Sequence, residues 1–164
     1  MNTKLILGSV LGVVILGFGY YAISPLFNTI KANDSAPQSA VVTQSVSSET
    51  SATTTHNRQM TPNTTPAQVT GSIGHPASGT VKIVAANGKN YVRYENFKTI
   101  NGPDLYVYLS KDLNAKDYVS LGKVTATDGN INYEIPANVN TSDYKYVLTW
   151  CKTFGVLFNS GQIH

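Results

Sequence analysis

From residue 80 to the C-terminus the chain is written in short runs of β-branched, aromatic and alternating apolar residues, broken repeatedly by turn signals. Residues 80–85 are β-branched and apolar. Asn87-Gly88 then forms a two-residue hairpin signal, because both positions favour positive φ, and 90–97 is the predicted return strand. Leu105, Val107 and Leu109 alternate with Tyr106 and Tyr108, the period of a strand with one buried face. Residues 120–125 lead into Asp128-Gly129, a second hairpin signal, after which Ile131, Tyr133 and Ile135 alternate with Asn132 and Glu134. Residues 144–151 are apolar on both faces, as a central strand requires, and 155–158 are a last short strand. No stripe has helical periodicity over the length a stable helix needs. This pattern predicts an all-β fold, an antiparallel two-sheet β-sandwich over residues 73–164.

Two segments precede that domain. Residues 5–23 are nearly all apolar, and no charge falls between Lys4 and Lys31. Nineteen helical residues reach roughly 28 Å, close to a hydrocarbon core of about 30 Å, so residues 1–23 are expected to form one transmembrane helix. Lys4 and the amino terminus put positive charge on the leading side, which places the N-terminus in the cytoplasm and the rest outside. A cleaved signal peptide is the alternative, and both expectations export the C-terminal part. Residues 24–72 are rich in Ser, Thr, Asn, Gln and Pro, and no aromatic residue occurs between Lys31 and Ser72. Such a segment cannot bury enough apolar area to offset its chain entropy, and is expected to be a disordered linker. Every Tyr and Trp outside the apolar run lies in the third part.

Charge and cysteine content exclude several classes of function. Charged residues make up 13% of the chain and the net charge is +3, with Lys and Arg dispersed, so no nucleic-acid partner is expected. The single cysteine cannot form an intrachain disulfide, and neither a zinc pattern nor a Cys-x-x-Cys-His haem attachment signal is present. No phosphate loop, Gly-x-Ser-x-Gly elbow or His-Glu-x-x-His occurs, so an independent catalytic constellation is not expected.

Four stretches in order resemble a known family. His75-Pro76-Ala77-Ser78-Gly79-Thr80-Val81, Tyr94-Glu95-Asn96-Phe97, Gly102-Pro103-Asp104-Leu105-Tyr106-Val107-Tyr108-Leu109 and the ending Trp150-Cys151-Lys152-Thr153-Phe154-Gly155-Val156-Leu157-Phe158 are similar to the DM-thirteen domain, the family labelled "electron transfer". The Trp-Cys-x-x-Phe-x-Val-x-Phe element is the most specific of them. One departure is local: Phe158 is followed by Asn159, where the family usually has a Phe-Gly pair and then a small residue. The resemblance implies a β-sandwich and a redox role for Cys151, acting as a bare thiol or holding a prosthetic group such as haem.

Two functions are therefore weighed. In the first, Cys151 is the redox or ligating group of an electron-transfer module displayed outside the membrane. His75 is then a partner that lowers the thiol pKa or supplies a second haem ligand, and Trp150 lines the same site. The other party is an extracytoplasmic redox or surface partner. In the second, Cys151 is a buried small hydrophobe and the domain is a surface-binding module, with Tyr106 and Tyr108 facing outward. A third use, as a cysteine nucleophile, would need a base, and only His75 qualifies by type. Lys152, adjacent in sequence, points to the opposite face of a strand and assists the thiol only if the strand ends or bulges there.

Overall fold

The computed structural model describes residues 12–15, 28–38 and 64–164. Ten strands occur among them: β1 (Lys31–Asn33), β2 (Ala67–Gln68), β3 (Thr70–Gly71), β4 (Ala77–Ala86), β5 (Lys89–Thr99), β6 (Leu105–Ser110), β7 (Tyr118–Lys123), β8 (Asp128–Ile135), β9 (Tyr146–Cys151) and β10 (Val156–Gln162). They form two five-stranded sheets, ordered β1-β8-β5-β4-β2 and β3-β10-β9-β6-β7. The predicted all-β two-sheet sandwich is what the chain adopts.

The strongest local signal holds. Ala86 pairs with Lys89 across a two-residue turn in which Asn87 has φ 51° and Gly88 φ 71°, so β4 and β5 form the expected hairpin. The apolar strand β9 lies between β10 and β6, which explains why both of its faces carry large side chains. Between the sheets, Val81, Ile83, Val92, Tyr94, Leu109 and Ile131 are among the residues that make up the main core.

The second hairpin signal does not make a turn. Asp128 and Gly129 open β8, and β7 pairs only with β6, so the chain crosses from one sheet to the other between residues 123 and 128. Gly129, at φ 122°, is needed for a close approach instead: a Cβ there would fall on the Ala32 carbonyl.

That approach also corrects the linker expectation. Lys31–Asn33 pairs in parallel with Asp128–Asn130 and covers an edge of the first sheet. The Ile30 carbonyl accepts hydrogen bonds from Thr127 and Asp128, at 2.7 and 3.1 Å. The Asp34 carboxylate accepts one from the Asn132 amide at 3.0 Å, and Arg93 donates to the Asp34 carbonyl at 2.9 Å. The strands β2 and β3 likewise lie within the expected linker and cap opposite sheets. Backbone pairing, which needs no apolar side chain, is the physical reason polar residues order here. Residues 39–63 of the expected linker lie outside the described residues. So does most of the expected anchor at 1–23, of which residues 12–15 are described and helical. Among the described residues no helix is long and apolar enough to cross a membrane.

Candidate functional site

Strand alternation sends Val147, Thr149 and Cys151 inward and Tyr146, Leu148 and Trp150 outward. Cys151 is 0% exposed, yet it stands apart from the main core. With Leu105 and Phe158 it forms a small second cluster, against which Ile100 and Val124 pack. Leu105 and Val156 are its direct neighbours in β6 and β10.

The sequence stretches singled out above converge on this cluster. Ser72 donates its amide to the Phe158 carbonyl at 2.9 Å, and β3 pairs with β10, so the start of the domain lies against its end. His75 is thereby laid on the Phe158 ring, with centroids 4.0 Å apart and planes at 34°. Gly102 is required by the same ring, because a Cβ there would run into Phe158 and Leu105. The Asp104 carbonyl accepts the Lys152 amide at 3.0 Å and its carboxylate accepts the Thr153 hydroxyl at 3.2 Å, which ties the Gly-Pro-Asp loop to the turn after Cys151.

Hydrogen bonding fixes the proton on His75. The Ser72 hydroxyl has one hydrogen and donates it to the Leu157 carbonyl. It must therefore accept from His75 Nδ1, which lies 3.1 Å away. In the neutral imidazole the lone pair is then on Nε2, the atom able to act as base or ligand. Phe158 is the shared neighbour of His75 and Cys151, and the side-chain hydrogen bond of His75 goes to Ser72, not to the thiol.

A surface pocket of about 420 Å³ opens beside this cluster, lined by Pro76, Ala77, Ser78, Lys98, Thr99 and Ile100. Ile100 both lines the pocket and packs on the cluster that contains Cys151, so it joins the two.

Two expectations are corrected. Trp150 does not line this site: it precedes Cys151 by one residue, points to the outer face and pairs with Tyr106 of β6. Nor do the residues fit a haem held by Cys151 and His75. The sulfur has no exposed surface, Leu105 and Phe158 cluster with it, and the imidazole is tilted over Phe158 with its Nδ1 bonded to Ser72. Among the described residues no group of three or more His, Cys, Asp or Glu could hold a metal ion. Lys152 behaves as its position implies, with Nζ 5.3 Å from the Tyr106 ring centroid on the outer face.

Sequence reasoning missed Ser72, Ile100 and the pocket beside it. Ser72 lies in a polar stretch with no motif, and Ile100 falls between the predicted strand end at Phe97 and the Asn101-Gly102-Pro103 turn signal, where no pattern marks it. Three buried polar atoms were also unforeseen. Tyr94 Oη, Thr149 Oγ1 and Asn159 Oδ1 have no hydrogen-bond partner among the described residues.

A family model described as Electron transfer DM13 matches residues 69–163, more than half of the chain and the whole of the region just described. The chain belongs to the Electron transfer DM13 family. The family description points to a role in electron transfer. The stretches that carried the resemblance supply the Cys151 cluster with Leu105, Cys151 and Phe158, and the main core with Val81, Tyr94, Phe97, Val107 and Leu109. Neither the curated proteins nor the solved structures contain a match to the chain.

Proposed function

We propose that the chain is an extracytoplasmic electron-transfer module, held to a membrane by residues 1–23, and that Cys151 is the group that changes oxidation state, with His75 as its proton acceptor. One observation carries this reading: Cys151 sits outside the main core, in a small cluster on which Ile100, a lining residue of an open pocket, packs. A cysteine that only filled space would be as well served within the main core.

The chemistry is thiol–disulfide exchange with a disulfide-bearing partner. Displacement of Ile100 admits the partner, and the His75 imidazole, which rests on Phe158 in the closed cluster, must swing toward the sulfur for Nε2 to take the thiol proton. The Cys151 thiolate attacks one sulfur of the partner disulfide; the partner S–S bond breaks, a mixed disulfide forms, and the departing thiolate takes up the proton. A second thiol, supplied from outside this single-cysteine chain, then attacks the mixed disulfide and restores the Cys151 thiol. In balance, the partner disulfide and the incoming thiol become a new disulfide between that thiol and one partner sulfur, while the other partner sulfur leaves as a thiol carrying the electron pair of the broken S–S bond.

The test is incubation of the folded chain with a small aromatic disulfide, followed by intact-mass measurement. A single mixed disulfide on Cys151, formed more slowly in His75→Ala, is expected. The 0% exposure of the thiol favours a second reading, in which Cys151 is inert and the domain is a surface-binding module. Under that reading no mixed disulfide forms until the chain unfolds.

A further inference from the structure

The outer face of the second sheet is an aromatic layer. Tyr106 and Tyr108 from β6, Tyr118 from β7 and Tyr146 and Trp150 from β9 all project from it, opposite the core positions of their strands. Tyr108 and Leu148 point outward yet are only 2% and 0% exposed, because neighbouring side chains lie over them. Tyr118 stacks on Tyr108 with centroids 4.1 Å apart and planes at 19°. Two ammonium groups converge on Tyr106: Lys152 at 5.3 Å and Lys123 at 5.7 Å from the ring centroid. Asp104 lies 3.4 Å from Lys123, while Lys152 has no carboxylate partner among the described residues. One positive charge is therefore left over beside an aromatic ring.

At the other end of this face lies a pocket of about 430 Å³, lined by Gln68, Thr70, Tyr146, Ser160, Gln162 and Leu113. Its polar groups are amides and hydroxyls, which both donate and accept, and it contains no charge. The outer face of the first sheet is different. There Lys82 and Arg93 share Glu95, and Lys89 pairs with Glu134, so each of these three cations lies in an ion pair, as Lys152 does not among the described residues.

We propose that the outer face of the second sheet binds an acidic polysaccharide, a uronate-bearing chain running from the pocket past Trp150 to Tyr106, where Lys123 and Lys152 receive a carboxylate. Sugar hydroxyls need partners that donate and accept, as the pocket supplies, and sugar C–H faces pack on aromatic rings. A single surplus positive charge matches a monoanionic carboxylate. From Tyr146 to Trp150 the strand advances about 13 Å, so the ligand is a chain of several units and not a lone sugar. The face lies on the opposite side of β9 from Cys151, so this inference is independent of the redox reading.

The test is binding of the full chain to polygalacturonate and to the same polymer with its carboxylates methyl-esterified, in low and high salt. The expected result is binding to the acid form, weakened by salt and reduced about tenfold in the double variant Lys123→Gln/Lys152→Gln. Gln162→Ala, in the uncharged pocket, is expected to weaken binding without changing its salt dependence. Equal binding of acid and ester forms, binding unchanged in the double lysine variant, or no binding to the acid polymer would each overturn the proposal.

Discussion

The two hydrophobic clusters of the sandwich differ in what surrounds them. The main core lies between the two sheets, and its large side chains, such as Leu109 and Val92, have 0% exposure with strands on every side. The Cys151 cluster has three buried members, Leu105, Cys151 and Phe158, on β6, β9 and β10, but what surrounds them comes largely from loops: Ile100 leaves β5, the Gly102 loop enters β6, and His75 precedes β4. Packing in the first is enforced by strands of both sheets. In the second the strands hold the members, while the loop residues around them can move without unpairing a strand. The same sequence thus builds a centre closed by strands and a small cluster bordered by loops, and burial alone does not distinguish them.

Truncation in each cluster sharpens this contrast. Leu109→Ala is expected to cost about 2–5 kcal/mol of stability in denaturant titration, because the sheets cannot close over the cavity. Ile100→Ala is expected to cost only about 1–2 kcal/mol, since the side chain is half-buried, and to raise the rate at which Cys151 reacts. If Ile100→Ala proved as costly as Leu109→Ala with no gain in thiol reactivity, the two clusters would be one core.

The edge strand gives an intermediate effect. In Gly129→Ala the new Cβ displaces Ala32, so β1 is expected to detach from β8 at a cost of about 1–3 kcal/mol, while the sandwich stays folded. Hydrogen exchange is expected to quicken at Asp34 and Asn132, which depend on that docking, and to be unchanged at Val147 and Leu148 of β9.

The smallest effect concerns the orphaned polar atoms of the main core. Burial pushes the Tyr94 phenol above its usual range, and burial likewise raises Tyr133. Both folded values exceed the unfolded value near 10, so this contribution is intact below about pH 10. Above it the unfolded chain loses protons that the folded chain keeps, and stability falls as pH rises. Tyr94→Phe is expected to flatten that alkaline loss in thermal melts from pH 8 to 11. At neutral pH it is expected to change stability by less than about 1 kcal/mol, because the buried hydroxyl it removes reaches only Thr149 and makes no well-formed hydrogen bond.

Strands β4 to β10 were legible because each carries alternation or a turn marker that acts locally. The outward positions of Tyr106, Tyr108 and Lys152 followed from the same alternation. Asp128-Gly129 misled because the glycine serves a close approach of a distant strand, and a dipeptide cannot tell that use from a turn. Strand β1 was illegible because it is held through its backbone and the Asp34 carboxylate, which leaves no apolar pattern to find. For the site, Cys151 and His75 were legible as motif residues. That Phe158 joins them, and that Trp150 faces away from them, depends on how the sheets stack, which local periodicity does not encode.

The most direct test of the account is the alkylation rate of Cys151 in the folded chain, measured across pH and compared with the chain in denaturant and with folded Ile100→Ala. The account predicts measurable reaction under native conditions, faster in Ile100→Ala, because the cover over the pocket opens without global unfolding. Reaction only at the global unfolding rate, with Ile100→Ala no faster than its lost stability requires, would contradict it and make Cys151 a core residue like any other.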